Sequence, residues 1–156
     1  MITIKEVKDY LQQVRKLDML IENKQIEKRK WYELATGTTS QLSSDKVQTS
    51  GNHSRMEDAV IKIVDTEREI TEQIDKFIDL KKEVISTIEQ LKPVEYDILH
   101  KIYIQYMTYE QVAEKYGYQY SWATTTHGRA LQNLRHILEE RETSHDDIYE
   151  KQEHEN

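Results

Sequence analysis

Cysteine is absent from this chain of 156 residues. That removes disulfides, thiolate metal sites and cysteine nucleophiles together. Proline occurs once and glycine four times, too little turn material for an all-β chain built from tight hairpins. No N-terminal apolar run reads as a signal peptide, and no segment is long and apolar enough to span a bilayer. The expected compartment is therefore the cytoplasm, with no membrane partner. Chemical motifs are missing as well. The six histidines include no pair at an HExxH spacing, and His145-Asp146-Asp147 sits in an acidic tail. There is no nucleophile elbow, no phosphate-binding glycine loop and no pair of carboxylates that a pocket would desolvate. Neither metal, cofactor nor catalysis is expected.

The most informative absence is local. From Lys115 to Leu138 there is no acidic residue, in a chain that carries 29 of them. The same interval holds Lys115, Arg129, Arg135, His127 and His136. An acidic protein that clears its carboxylates from one helix is expected to present that helix to a polyanion. The overall charge of −7 does not contradict this, because it is unevenly spread. Residues 1–35 carry a net +2 and 36–55 a net +1, whereas 56–92 carry −4, 93–141 carry −1 and 142–156 carry −5.

With 33% charged and 8% aromatic residues, the pattern is helical and well solvated. Thr3, with Glu6 three residues on, reads as a capping box opening a long helix over 3–35. Ile4, Val7, Leu11, Val14 and Ile21 form its apolar stripe, and Gly37 ends it. Residues 36–55, rich in Thr, Ser, Gly, Asn and Gln, read as a flexible linker. Over 56–91 apolar positions alternate steps of four and three at 56, 60, 63, 67, 70, 74, 77, 81, 84, 88 and 91. Nine of these eleven are apolar, with Glu67 and Lys81 interrupting. Such a heptad stripe requires a partner helix. Folding back on helix 3–35 gives an antiparallel hairpin, and pairing between copies gives a homodimer through the helical arm. Ile70, Ile74 and Phe77 are expected among the most buried residues.

Pro93 ends that helix and starts the next. Residues 94–106 read as a short amphipathic helix with Ile98, Leu99, Ile102 and Tyr106 on one face. Thr108 caps a helix over Tyr109–Tyr116, Gly117 supplies a turn, and a last helix runs from about Tyr120 to Glu140. Ala123, Thr126, Ala130, Leu131, Leu134 and Leu138 form its packing side. The fold expected is all-α: a long helical hairpin over 1–92, a helix-turn-helix domain over 93–141, and a disordered acidic tail over 142–156.

The run EQVAEKYGYQYSWATTTHGRALQNLR, residues 110–135, aligns without a gap to the helix-turn-helix of sigma-70 region 4. The matching features are Glu110-x-Val112-Ala113, Gly117 in the turn, and Arg129-Ala130-Leu131 followed by Leu134-Arg135. Together with HGRAL at 127–131, VQTSG at 47–51 and the paired long helices, the chain resembles phage-encoded transcription regulators of Gram-positive bacteria, akin to the ArpU-type late regulators. The resemblance implies a phage or prophage regulator in the bacterial cytoplasm, binding promoter DNA and touching RNA polymerase.

A recognition helix reads base edges in the major groove with side chains from its N-terminal half. Here, over about 120–136, the outward positions are Tyr120, Ser121, Thr124, Thr125, Gly128 and Arg129. Threonines reach bases or phosphates, Arg129 suits a phosphate or a guanine, and Gly128 permits close backbone approach. His127 and Arg135 complete the basic set, and Trp122 is either a packing residue or a base-stacking one. The basic cluster Lys28-Arg29-Lys30 reads as DNA-facing or as a solvated face. Thr124-Thr125-Thr126 stands where related helices often carry Arg, Lys or Gln, so the electrostatic anchor is weak. A second copy or polymerase would then be needed for useful affinity. The expected function is sequence-specific binding of double-stranded DNA. The alternatives are a non-catalytic module that binds a host protein such as RNA polymerase, and a small-terminase-like DNA-packaging component.

Overall fold

The computed structural model describes the backbone of residues 1–37 and 49–153, and the side chains of 1–37 and 54–146. Among the described residues there are five α-helices and no strand: α1 (Ile4–Thr36), α2 (Thr49–Ile88), α3 (Pro93–Leu99), α4 (Tyr109–Tyr116) and α5 (Tyr120–Glu153). A π-helical turn, His100–Ile104, follows α3. None of these helices is long and apolar enough to cross a membrane. The fold is all-α, as the composition and periodicity require.

The chain divides into two compact units, Met1–Arg15 with Asp79–Asn156, and Lys16–Ile78. The expected boundary near residue 92 thus falls inside the first unit. The first unit has one continuous apolar core. Val7, Leu11 and Val14 of α1, Val84 and Ile88 of α2, and Ile98 and Leu99 of α3 are fully buried. Val112 of α4 and Ala123, Ala130, Leu131 and Leu134 of α5 complete it. Polar groups close its edges. The Tyr10 hydroxyl donates to Thr87 Oγ1 at 3.1 Å, Arg141 pairs with Glu83 at 3.1 Å, and the Ile2 amide donates to Glu139 at 3.0 Å. At the start of α1 the Thr3–Glu6 capping box is formed in both directions, at 3.2 and 2.7 Å. The Thr3 amide and the Thr3 hydroxyl both donate to the Glu6 carboxylate, at 2.7 Å each, and hold it below its usual range.

The second unit is a two-helix segment with a narrow seam. Ile21 of α1 and Ala59, Thr66 and Ile70 of α2 are buried. Lys24 meets Glu69 at 2.6 Å and Lys28 meets Glu67 at 3.2 Å, so partners descend along α2 as they ascend α1, and the pair is antiparallel.

Three sequence expectations are corrected here. The stripe of α2 is half right: positions 63, 70, 77, 84, 88 and 91 face inward, but 56, 60 and 67 are exposed, and Ala59, Thr66 and Thr87 are buried beside the expected row. Met56 and Val60 are exposed and Ile74 and Phe77 only half-buried. The threonines fit because their hydroxyls bond back to the carbonyls of Lys62 and Glu83, which leaves their methyls to pack. The helix expected over 94–106 is interrupted by the π turn, which inserts one residue and moves burial from Ile102 and Tyr106 to Tyr103 and Ile104. Tyr106 then takes a left-handed conformation (φ 60°) with the Arg15 guanidinium 5.2 Å from its ring centroid.

The third correction concerns the tail. Residues 142–153 continue α5 as helix instead of fraying. They contain no Pro or Gly, and extending a formed helix costs far less than nucleating one. The described side chains from Glu140 to Asp146 are exposed. Likewise 49–55 of the expected linker forms the first turns of α2. The rest of that linker (38–48, with the first two residues of VQTSG) and residues 154–156 lie outside the described residues.

Candidate nucleic-acid interface

The helix-turn-helix is built by three local devices. Thr108 caps α4, accepting from the Gln111 amide at 3.2 Å, while Gln111 Oε1 accepts from the Thr108 amide at 2.9 Å. Gly117 (φ 70°) ends α4 in the left-handed region, where a side chain would be strained. The Gly117 amide bonds to Glu114 and the Tyr118 amide to Ala113, which satisfies the last carbonyls of α4 and turns the chain into α5. All six residues expected on the packing side of α5 are buried: Ala123, Thr126, Ala130, Leu131, Leu134 and Leu138.

Packing that side fixes what faces outward. Ser121, Thr125, Gly128 and Arg129 are exposed along one stripe, and Tyr120 is exposed at its start. Thr124 and Arg135 flank the stripe, half-buried. The Thr124 hydroxyl donates to the Ser121 carbonyl at 3.0 Å, so its proton is already committed. Arg135 approaches Glu139 at 4.0 Å. Two residues outside the expected DNA contacts extend the same stripe, Gln132 and His136, both exposed. Their signal was the helical period itself, since each lies seven residues beyond Thr125 and Arg129 respectively.

Two expected contacts sit elsewhere. His127 is 4% exposed and points into the core. Tyr103 bonds its Nε2 at 2.8 Å and Tyr109 its Nδ1 at 3.3 Å, so one hydroxyl donates to the bare nitrogen while the other accepts from the ring N–H. Burial, with a smaller contribution from Lys8, pushes the imidazole pKa down to about 4. It is neutral near pH 7 and, being buried, faces away from any ligand outside the core, unlike the DNA contact expected of it. Trp122 packs between Tyr116 and Tyr118, ring centroids 4.8 and 4.7 Å away. Of its two readings, packing is what the geometry supports.

Behind the turn, Asp97 of α3 accepts from the Tyr116 hydroxyl and pairs with Lys101 at 2.6 Å. Burial opposes ionisation of Asp97, but those two donors outweigh it and hold the carboxyl below its usual range. Burial and the Asp97 carboxylate in turn push the Tyr116 hydroxyl up to about 12. Asn133 of α5 donates to the buried Glu95 of α3 at 2.8 Å. The stripe is therefore carried on a helix fixed from behind by α3 and α4. No group of three or more His, Asp or Glu among the described residues is placed to hold a metal ion.

No curated protein and no solved structure matches this chain. One family model does, over residues 36–136, which takes in α2, the π turn, α4 and the outward stripe of α5 as far as His136. On that match the chain belongs to the family described as protein of unknown function (DUF1492).

Proposed function

We propose that this protein is a non-enzymatic, sequence-specific DNA-binding regulator that lays the first half of α5 in the major groove of promoter DNA. The observation that carries the reading is the outward stripe Ser121, Thr125, Gly128, Arg129, Gln132 and His136. It is exposed, it contains no carboxylate, and it lies on the second helix of a helix-turn-helix. Hydroxyl, amide and guanidinium groups are the chemistry that reads base edges and anchors to phosphates. The sigma-region-4-like and ArpU-like motifs extend the proposal to phage or prophage genes and to contact with RNA polymerase. So few cations give a modest phosphate anchor, and two linked copies would raise affinity by effective concentration. A second reading has its own observation. Tyr118 and Tyr120, 58% and 53% exposed beside Trp122, would suit a protein surface such as polymerase.

Selection from random duplex DNA, followed by binding across a salt series, tests the proposal. Arg129→Ala is expected to weaken binding to every duplex and lower the salt slope by about one unit. Thr125→Ala is expected to cost about 1–3 kcal/mol on the selected site and little on random DNA. A folded protein that enriches no sequence, and whose Arg129→Ala variant binds like the parent at every salt concentration, would move the assignment to the protein-binding surface.

A further inference from the structure

The arm of α2 carries a second, largely apolar stripe whose Val60, Val64 and Ile78 stay exposed beside α1 and whose Glu67 pairs with Lys28 of α1. Val60, Val64, Glu67, Thr71, Ile74 and Ile78 follow one another at steps of four and three, so they line one face. Val60, Val64 and Ile78 are 51%, 50% and 43% exposed, Glu67 and Thr71 are exposed, and Ile74 is half-buried. The α1 seam, through Ala59, Thr66 and Ile70, runs along the neighbouring face. A single-seam hairpin has no use for this second row, and burial of isoleucine and valine is what drives helices together.

The order of the row identifies its occupant. Reversed about residue 69, Val60 falls opposite Ile78, Val64 opposite Ile74, and Glu67 opposite Thr71. Apolar meets apolar and polar meets polar at every level. Charges on the flank reverse in the same sense, since Arg68 of one copy comes within two turns of Glu72 and Asp75 of the other. Self-complementarity of one patch under reversal is the requirement of a two-fold symmetric interface, and an unrelated partner would impose no such palindrome. We propose that this face binds a second copy of the chain, α2 against α2 in antiparallel orientation, centred between Glu67 and Thr71. This deepens the proposed function by naming the second copy that DNA affinity calls for. Its test uses no DNA, so either proposal can fail alone.

The test is sedimentation velocity on the full chain at micromolar concentration, with and without Val60→Lys and Val64→Lys together. The parent is expected to be dimeric. The double variant, altered only at exposed sites, is expected to keep its helical circular dichroism and to raise the dimer dissociation constant at least a hundredfold. The cysteine-free sequence allows the orientation to be read directly. Val60→Cys alone places its thiols about 27 Å apart in an antiparallel pair and should not cross-link, whereas Val60→Cys with Ile78→Cys should give a disulfide-linked dimer. A monomeric or ring-sized parent, a dimer that survives the double lysine variant, or cross-linking by Val60→Cys alone would overturn the proposal.

Discussion

His127 and Gly128 are neighbours with opposite duties, and each gives a measurable contrast. The folded-state pKa of His127, about 4, lies below the ordinary 6.5. An unfolded chain therefore takes up the proton first as pH falls. Its stabilising contribution is complete above pH 6.5 and declines toward pH 4, by about 3 kcal/mol at most. His127→Gln should lower the melting temperature at pH 7, and the gap from the parent should narrow between pH 6.5 and 4. A gap constant over that range would mean the imidazole is not protonated on unfolding. At Gly128 a Cβ would meet nothing within 4 Å, and the backbone is ordinary helix. Glycine in an exposed helix interior costs about 1 kcal/mol relative to alanine, with no packing gain here. Gly128→Ala should therefore raise stability by about 0.5–1 kcal/mol in a denaturant melt while weakening DNA binding. If binding is unchanged, close backbone approach at this position is not part of recognition.

The helices differ in what their side chains announce. In α2 the burial pattern predicts that Ile70→Ala costs about 2–4 kcal/mol and Ile74→Ala clearly less, because Ile74 keeps contact with water. Equal losses in thermal or chemical melts would place both in the seam and return the stripe to its sequence reading. Apolar spacing located α1, α4 and the whole packing side of α5, since each has one core and one period. It misplaced half of α2 because two apolar rows lie side by side there, and a hydrophobicity pattern cannot say which row α1 occupies. Ala59, Thr66 and Thr87 carry little apolar signal, yet they line the seam through small size and hydroxyls bonded to their own helix. The π turn has no residue-level mark, so Tyr103 and its bond to His127 are not visible in the sequence, which offers His127 only as a member of the basic set. The outward stripe was legible except for its far end, where Gln132 and His136 follow from the helical period rather than from their chemistry.

Across the whole molecule, charge and helix continuity act together on the proposed interface. α5 runs without a break from the acid-free stripe to Glu153, and residues 142–156 hold a net charge of −5. Glu142 lies seven residues beyond Arg135, about 10 Å along the axis, which is close to the Debye length of about 10 Å at 0.1 M salt. The acidic extension is thus near enough to lower the field at the basic end of the stripe, and a helical extension cannot move clear as a loose tail could. Ending the chain after Arg141 keeps Leu138 and the Arg141–Glu83 pair and removes side chains that, as far as described, are exposed. It also moves the net charge from −7 to −2. The shortened protein should melt at nearly the same temperature as the parent. It should bind random duplex several-fold more tightly at 50 mM salt, with the gain shrinking toward none at 300 mM as screening takes over. A gain that persists at high salt would mean the extension blocks the stripe by contact rather than by charge. A loss of affinity at every salt would mean that it contributes to binding.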